Sequence, residues 1–207
     1  MHYNAFISYP HKTGWRLAKK LQDALQALAK PWNKAKALNI FRDESNLTST
    51  PHLWKDILVA LENSEHFILL ASVNTVSSKW VNDEIDFWMK NRNLDKMHIV
   101  FIDGQLVFKH GTKEIDWEKT DCLPVKLKEV FKEIPLYTDL THFRDAIDVS
   151  LNNEEFKNQI IPLAASIHNK TPEELVSEHI KAFKKARYIR NGLYSISFAL
   201  LIFIKIK

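Results

Sequence analysis

Strand-like and helix-like segments alternate along roughly the first 140 residues, and this alternation limits the folds open to the chain. The apolar run His66–Ala71 is typical of a central strand covered on both faces. The near-helical spacing of apolar residues predicts a helix over Thr13–Ala29. Alternation of this kind predicts an α/β fold, with a five-stranded parallel sheet, helices on both faces and right-handed crossovers. Ligands of such sheets bind at the carboxyl ends of the strands.

The remaining elements follow from the same patterns. Further strands are predicted at 2–8, 38–41, 97–102 and 134–137, and further helices at 52–62, 79–91 and 123–132. Ser77 and Ser78 precede the helix Lys79–Asn91, where a hydroxyl can cap the first free amides. After residue 140 the pattern is helical, and Thr171–Glu174 resembles a capping box that starts a helix running toward Arg190. We therefore divide the chain into an α/β domain (1–140), a helical extension with a basic end (141–190) and a short hydrophobic segment (191–207).

The number and spacing of cysteines and histidines limit which disulfides and metal sites the chain could form. The single Cys122 excludes an intrachain disulfide and a cysteine-cluster zinc site, and it fits a reducing, cytoplasmic location. The nine histidines are scattered without ligand spacing, so no catalytic metal is expected. A strand-like run already begins at Tyr3, and no secretory signal precedes it.

The segment after residue 180 is basic and then apolar. Five cations occur without an acidic residue at Lys181, Lys184, Lys185, Arg187 and Arg190. Gly192–Ile204 follows with thirteen uncharged residues, about 20 Å as a helix against a hydrocarbon core of about 30 Å. A membrane anchor with the domain in the cytoplasm is one interpretation. A helix or strand packed on the domain is the other, and no nucleic-acid partner is expected.

One predicted helix carries a carboxylate beside aromatic side chains. Trp80 and Glu84 lie four residues apart and are expected on one helix face, which Trp88 extends by another turn. A carboxylate beside an indole lies in a partly dry environment, where its electrostatic effect is stronger. It could oppose positive charge that develops at the anomeric carbon of a ribosyl group. The pattern alone is weak, because an aromatic residue four positions before a glutamate occurs in many helices.

Four motifs in a fixed order are more specific. They are Phe6–Tyr9, Phe41–Asp43, Phe67–Ser72 and Ser78–Glu84. In this order and spacing they resemble the first strand, the BB loop, the third strand and the αC helix of TIR domains over about residues 1–140. The resemblance implies the flavodoxin-like TIR fold, and it is strongest to bacterial TIR proteins, some of which carry a basic helix and a membrane segment after the domain.

The resemblance also implies roles for individual residues. Glu84 would be the catalytic glutamate that cleaves NAD⁺, which is a substrate, so no cofactor is required. Ser8 and Tyr9 would face the ligand, and Asp43 would begin the loop that covers it. Trp54 or Leu53, just after that loop, could pack on the adenine or nicotinamide ring, and Trp80 would also bind the substrate. Pro10 and His11 replace basic residues of several relatives, which leaves Lys12 or Arg42 to bind phosphate.

The sequence leaves three functions to be distinguished. The first is an NAD⁺ glycohydrolase, or a cyclase forming a cyclic ADP-ribose isomer, that acts in antiphage or stress defence and assembles through TIR–TIR contacts. The second is an adaptor that signals by self-association without chemistry, although the pair Trp80 and Glu84 favours the enzyme. The third is a phospho-receiver domain, which the sequence disfavours because Ser8-Tyr9 and Ala71-Ser72 stand where it needs aspartates.

Overall fold

The computed structural model of the protein describes residues 2–42, 53–131, 137–146 and 149–206. Its sheet contains five strands, β1 (Tyr3–Ser8), β2 (Ile40–Arg42), β3 (Ser64–Ala71), β4 (Met97–Phe101) and β5 (Tyr137–Asp139). All neighbouring strands are parallel, and their order is β2-β1-β3-β4-β5. The predicted α/β fold of the flavodoxin-like type is therefore confirmed.

In the described part of the chain, six α-helices connect or follow these strands. They are α1 (Trp15–Ala27), α2 (Leu53–Glu62), α3 (Val73–Ser77), α4 (Lys79–Asn91), α5 (Glu154–Ile167) and α6 (Pro172–Ile206). The helix predicted at 123–132 is, in its described part, a 3₁₀ turn at Val125–Glu129. The four-residue spacing of Leu123 and Leu127 is typical of an α-helix, whereas side chains align three residues apart in the tighter 3₁₀ turn.

The sheet separates two apolar layers. Ala5, Ile7 and Tyr9 of the first strand region pack with the layer that contains α1 and α5. Phe6 packs instead with the layer of α2 and α4. Because side chains alternate along a strand, Ser8 and Tyr9 project to opposite faces at the same end of β1.

Helix α5 belongs to the same core as the sheet. Its Phe156, Ile160 and Leu163 are buried in one cluster with Ile68 of β3 and Val100 of β4. The core of the α/β unit therefore continues past residue 140.

Helix α6 begins at the predicted capping box. The Thr171 hydroxyl accepts from the Glu174 N–H at 3.3 Å, and the Glu174 carboxylate accepts from the Thr171 N–H at 3.0 Å. Leu175 is buried in the core, and His179 Nδ1 accepts from the backbone N–H of Ala29 at 3.0 Å. These contacts fix the first turns of α6, which extends to Ile206 rather than ending near Arg190.

Farther along α6 most of the described side chains are exposed. Phe183 and Tyr188 are 63% and 82% exposed, and Tyr194 is also exposed. Within the described part of the chain, no helix combines the length and apolar character that crossing a membrane requires.

Candidate active site

Glu84 lies against the carboxyl end of β1. Its carboxylate accepts a hydrogen bond from the Ser8 hydroxyl, with Oγ and Oε2 2.5 Å apart. Ser8 is 1% exposed and Glu84 is 3% exposed, so both groups are withdrawn from bulk water. The structure therefore brings together two residues that the sequence assigned to one site.

Helical geometry explains why Glu84 points inward. The buried residues of α4 are Val81, Glu84, Ile85 and Trp88, which recur at the spacing of one helix face. Ser78 precedes them at the N-cap and its hydroxyl accepts from the Val81 N–H at 3.5 Å, as predicted. The three apolar neighbours thus hold this face against the sheet and carry the carboxylate with it.

Trp80 occupies a different position from the one that its spacing suggests. It is 43% exposed in the first turn of α4, whereas Glu84 and Trp88 are buried. Its ring lies 5.8 Å from that of Trp54 in α2, with 48° between the ring planes. The two indoles form a partly exposed aromatic pair between α2 and α4, which can receive a flat ring.

Tyr9 lies on the other face of the sheet from Glu84. It is buried, and its hydroxyl accepts a hydrogen bond from Arg42 Nη1 at 3.1 Å. Arg42 Nε donates to Gln22 Oε1 at 3.1 Å, and the His11 ring lies 5.0 Å from the Tyr9 ring. The sequence did not reveal this network, because Gln22 belongs to a helix whose polar positions carry no signal of long-range pairing.

The remaining predicted site residues fall into two groups. Asp43 lies outside the described residues, as does the side chain of Leu53. Lys12 is exposed in the turn that follows β1, while Arg42 is buried in the network with Tyr9. Of the two predicted phosphate ligands, Lys12 has the more accessible side chain.

The described residues contain no group of three histidine, cysteine, aspartate or glutamate side chains that could hold a metal ion. Burial raises the pKa of the Cys122 thiol to about 12, so this cysteine stays protonated near neutral pH. Neither a metal centre nor a thiolate nucleophile can be built from these residues.

Two comparisons with known proteins agree with this geometry. Residues 6–105, which include Ser8, Arg42 and Glu84, match the family described as Thoeris protein ThsB, TIR-like domain. The chain is also 35% identical over 204 residues to a protein of Actinoplanes sp. named NAD(+) hydrolase ApTIR. That match covers 99% of this chain and 28% of the relative, so the chain spans little more than a quarter of the relative's length. The fold, the motif order and both similarities lead to one conclusion: the chain carries a TIR-like domain, matched over residues 6–105.

Proposed function

We propose that the protein cleaves the nicotinamide–ribose bond of NAD⁺ and that Glu84 is the catalytic carboxylate. The observation that carries this proposal is the buried Glu84 carboxylate, oriented by Ser8 at the carboxyl edge of the sheet. The relative that is 35% identical over nearly the whole chain is named for NAD⁺ hydrolysis, which supports the same assignment.

The reaction needs little from the protein besides a well-placed negative charge. The bond between the ribose C1′ and the pyridinium nitrogen breaks, and its electron pair neutralises the nicotinamide ring. Positive charge then develops at C1′, where a carboxylate in a water-poor site stabilises it strongly. Attack by water gives ADP-ribose and a proton, whereas attack by a nucleophile of the same molecule gives a cyclic form of ADP-ribose and a proton.

The aromatic pair of Trp54 and Trp80 would hold a ring of NAD⁺ beside the carboxylate. The two indoles are partly exposed and lie on α2 and on the α4 helix that carries Glu84. Ser8 orients the carboxylate, while Tyr9 and Asp43 are assigned to substrate binding through the family resemblance alone. Tyr9 would act through Arg42, to which it is hydrogen-bonded.

Glu84→Gln tests the proposal directly. The amide keeps the size of the side chain and removes the charge, so nicotinamide release should stop while the circular dichroism spectrum stays unchanged. Asp83→Asn removes the same charge from the neighbouring position and should retain activity. Full activity of Glu84→Gln would overturn the assignment of Glu84, whereas a wild-type protein that releases no nicotinamide would leave the adaptor function. Mass spectrometry of the wild-type product separates linear from cyclic ADP-ribose.

Self-association is part of the same proposal. Glu84 is almost completely covered in the single chain, which favours a site that opens to substrate when domains assemble. In the family, the loop that corresponds to 42–51 docks on a neighbouring TIR domain. The specific activity should therefore rise with protein concentration, and a constant value over several decades of dilution would exclude this mode of activation.

The biological setting that we propose is bacterial defence, with the protein at the inner surface of the membrane. The match of residues 6–105 to the Thoeris ThsB family supports defence. The exposed Phe183 and Tyr188 lie among the cations of α6, as in helices that bind anionic surfaces. Phage plating on cells that express wild type or Glu84→Gln tests the role in defence.

Flotation of the full chain with anionic and neutral vesicles tests membrane binding. Recovery of the protein at the bottom of both gradients would exclude it.

A further inference from the structure

A cavity lies on the sheet face opposite Glu84. Its volume is about 670 Å³, which is within the range of small-molecule sites. It is bounded by α1, by Ser72 after β3, by Ile102 and Asp103 after β4, and by the segment around Arg144. Phe143, Val149 and Ile102 form its apolar part, whereas Glu84 and Ser8 do not line it.

The position of this cavity is one that parallel sheets use for ligands. The chain leaves β1 toward α1 on one face and leaves β3 toward α3 and α4 on the other. Neighbouring strands whose connections diverge in this way open a crevice at their carboxyl ends. Residues after β1, β3 and β4 all line the cavity, so it occupies the α1 side of that crevice.

The charges around the cavity favour an anion. Four cations line it, Arg16, Lys19, Lys20 and Arg144, against two carboxylates, Asp103 and Asp145. Within the described chain, Lys19 pairs with Asp23 at 2.9 Å, and Arg144 pairs with Asp103 at 2.6 Å. Arg16 and Lys20 lie four residues apart on α1, both exposed, and supply the charge that a ligand would neutralise.

The start of α1 adds to this potential. Its N-cap is Gly14, whose position provides no side-chain cap, and its first turn contains no acidic residue. The positive end of the helix therefore adds to the charge of Arg16 and Lys20 at the cavity.

Aromatic surface completes the wall. Trp15 is 41% exposed, and the Arg16 guanidinium lies 5.4 Å from the centre of its ring. A ligand that fits this combination carries phosphate groups for the cations and a flat ring for the aromatic and apolar part. We propose that the cavity binds a nucleotide, with its phosphates at Arg16 and Lys20 and its base toward Trp15 and Phe143.

The experiment titrates the full chain with ADP, which contains no nicotinamide–ribose bond. The indole N–H resonance of Trp15, assigned with Trp15→Phe, should shift on addition of ADP. Calorimetry of Arg16→Ala/Lys20→Ala should show binding at this site weakened at least about tenfold, since each lost contact to charge is worth that much. Lys34→Ala/Lys36→Ala removes the same charge from exposed positions away from the cavity and should bind ADP as wild type does.

Three results would overturn the proposal. One is a Trp15 resonance that stays unmoved at millimolar ADP. Another is unchanged ADP affinity in the cavity variant, and the third is adenosine binding as tightly as ADP, which would remove the role of the phosphates. Loss of NAD⁺ cleavage in Glu84→Gln with unchanged ADP binding would separate this site from the proposed active site.

Discussion

The Ser8 hydroxyl donates a hydrogen bond to Glu84 and so joins the end of β1 to the inner face of α4 across 76 positions of sequence. Bulk water reaches neither side chain, because both are almost fully buried. The hydrogen bond therefore fixes the orientation of the carboxylate on which the proposed chemistry depends. A buried carboxylate that loses such a donor is both less well placed and less well solvated.

Ser8→Ala should lower kcat for nicotinamide release by roughly tenfold to a hundredfold, since a hydrogen bond to a charged group contributes about 1.5–3 kcal/mol. The loss should be smaller than that of Glu84→Gln, because the carboxylate itself remains. Steady-state kinetics at matched protein concentration measures the effect. Ser77→Ala, at an exposed position in α3, is the control. Wild-type kcat in Ser8→Ala would show that the hydrogen bond has no part in catalysis.

Trp80→Ala should raise KM for NAD⁺ roughly tenfold with a smaller change in kcat, because stacking of a base on an aromatic side chain contributes about 1–3 kcal/mol. Trp80→Phe keeps a flat ring beside Trp54 and should retain most of the affinity. Trp32→Ala removes another exposed indole, which contacts Lys185 rather than α2 or α4, and should leave KM unchanged. Equal KM values for Trp80→Ala and wild type would contradict the role of the aromatic pair.

Local patterns predicted the elements that hold the site, but the arrangement of Trp80 shows their limit. Glu84 was expected on one helix face with Trp80 and Trp88, and only Trp88 shares its burial. Four residues advance a helix by about 40° more than one turn, so two such steps rotate the face by about 80°. Val81 and Ile85 lie on the buried face with Glu84, and their apolar character is the better guide to its direction.

The Arg42–Tyr9–Gln22 network and the cavity beside α1 could not be read from the sequence. Each depends on side chains that are distant along the chain and polar, and these leave no periodic signal. The capping box at Thr171 was predicted because all of its partners lie within one helical turn. Predictability here follows the sequence separation of the interacting groups.

A buried histidine pair makes folding sensitive to acid. His66 Nδ1 and His98 Nε2 lie 2.9 Å apart on β3 and β4, and burial lowers the pKa of both rings from 6.5 to about 4. The neighbouring Lys96 contributes to the lowering of both pKa values, and charge on the His98 ring contributes to that of His66. The unfolded chain therefore binds more protons than the folded chain between pH 6.5 and 4, so stability falls as the pH decreases through this window.

The free energy of unfolding should drop by roughly 2 kcal/mol for each ring, and so by about 3–4 kcal/mol in all, between pH 7 and pH 5. Urea denaturation at both pH values measures the drop in wild type and in His66→Gln/His98→Gln. The double variant should show a smaller dependence on pH, whatever its absolute stability. His110→Gln, at an exposed loop position, should keep the wild-type dependence. A double variant with the full wild-type dependence would locate the acid sensitivity elsewhere.

Gly104 follows β4 in a conformation that only glycine adopts readily, with φ of +94°. A Cβ at this position would lie 2.5 Å from Asp121 Oδ1, and 3.0 Å from both Cys122 Cβ and Val73 Cγ2. Asp121 has little freedom to move away, because its Oδ1 accepts from the Gln105 N–H at 2.6 Å. Gly111 offers a matched comparison, since its φ is +74° but no atom lies within 4 Å of the added Cβ.

Gly111→Ala should cost about 1–2 kcal/mol of backbone strain. Gly104→Ala should cost about 2–5 kcal/mol, because close packing against a restrained loop is added to the same strain. Urea denaturation of both variants at pH 7 provides the comparison, and equal destabilisation would mean that the loop around Asp121 moves freely.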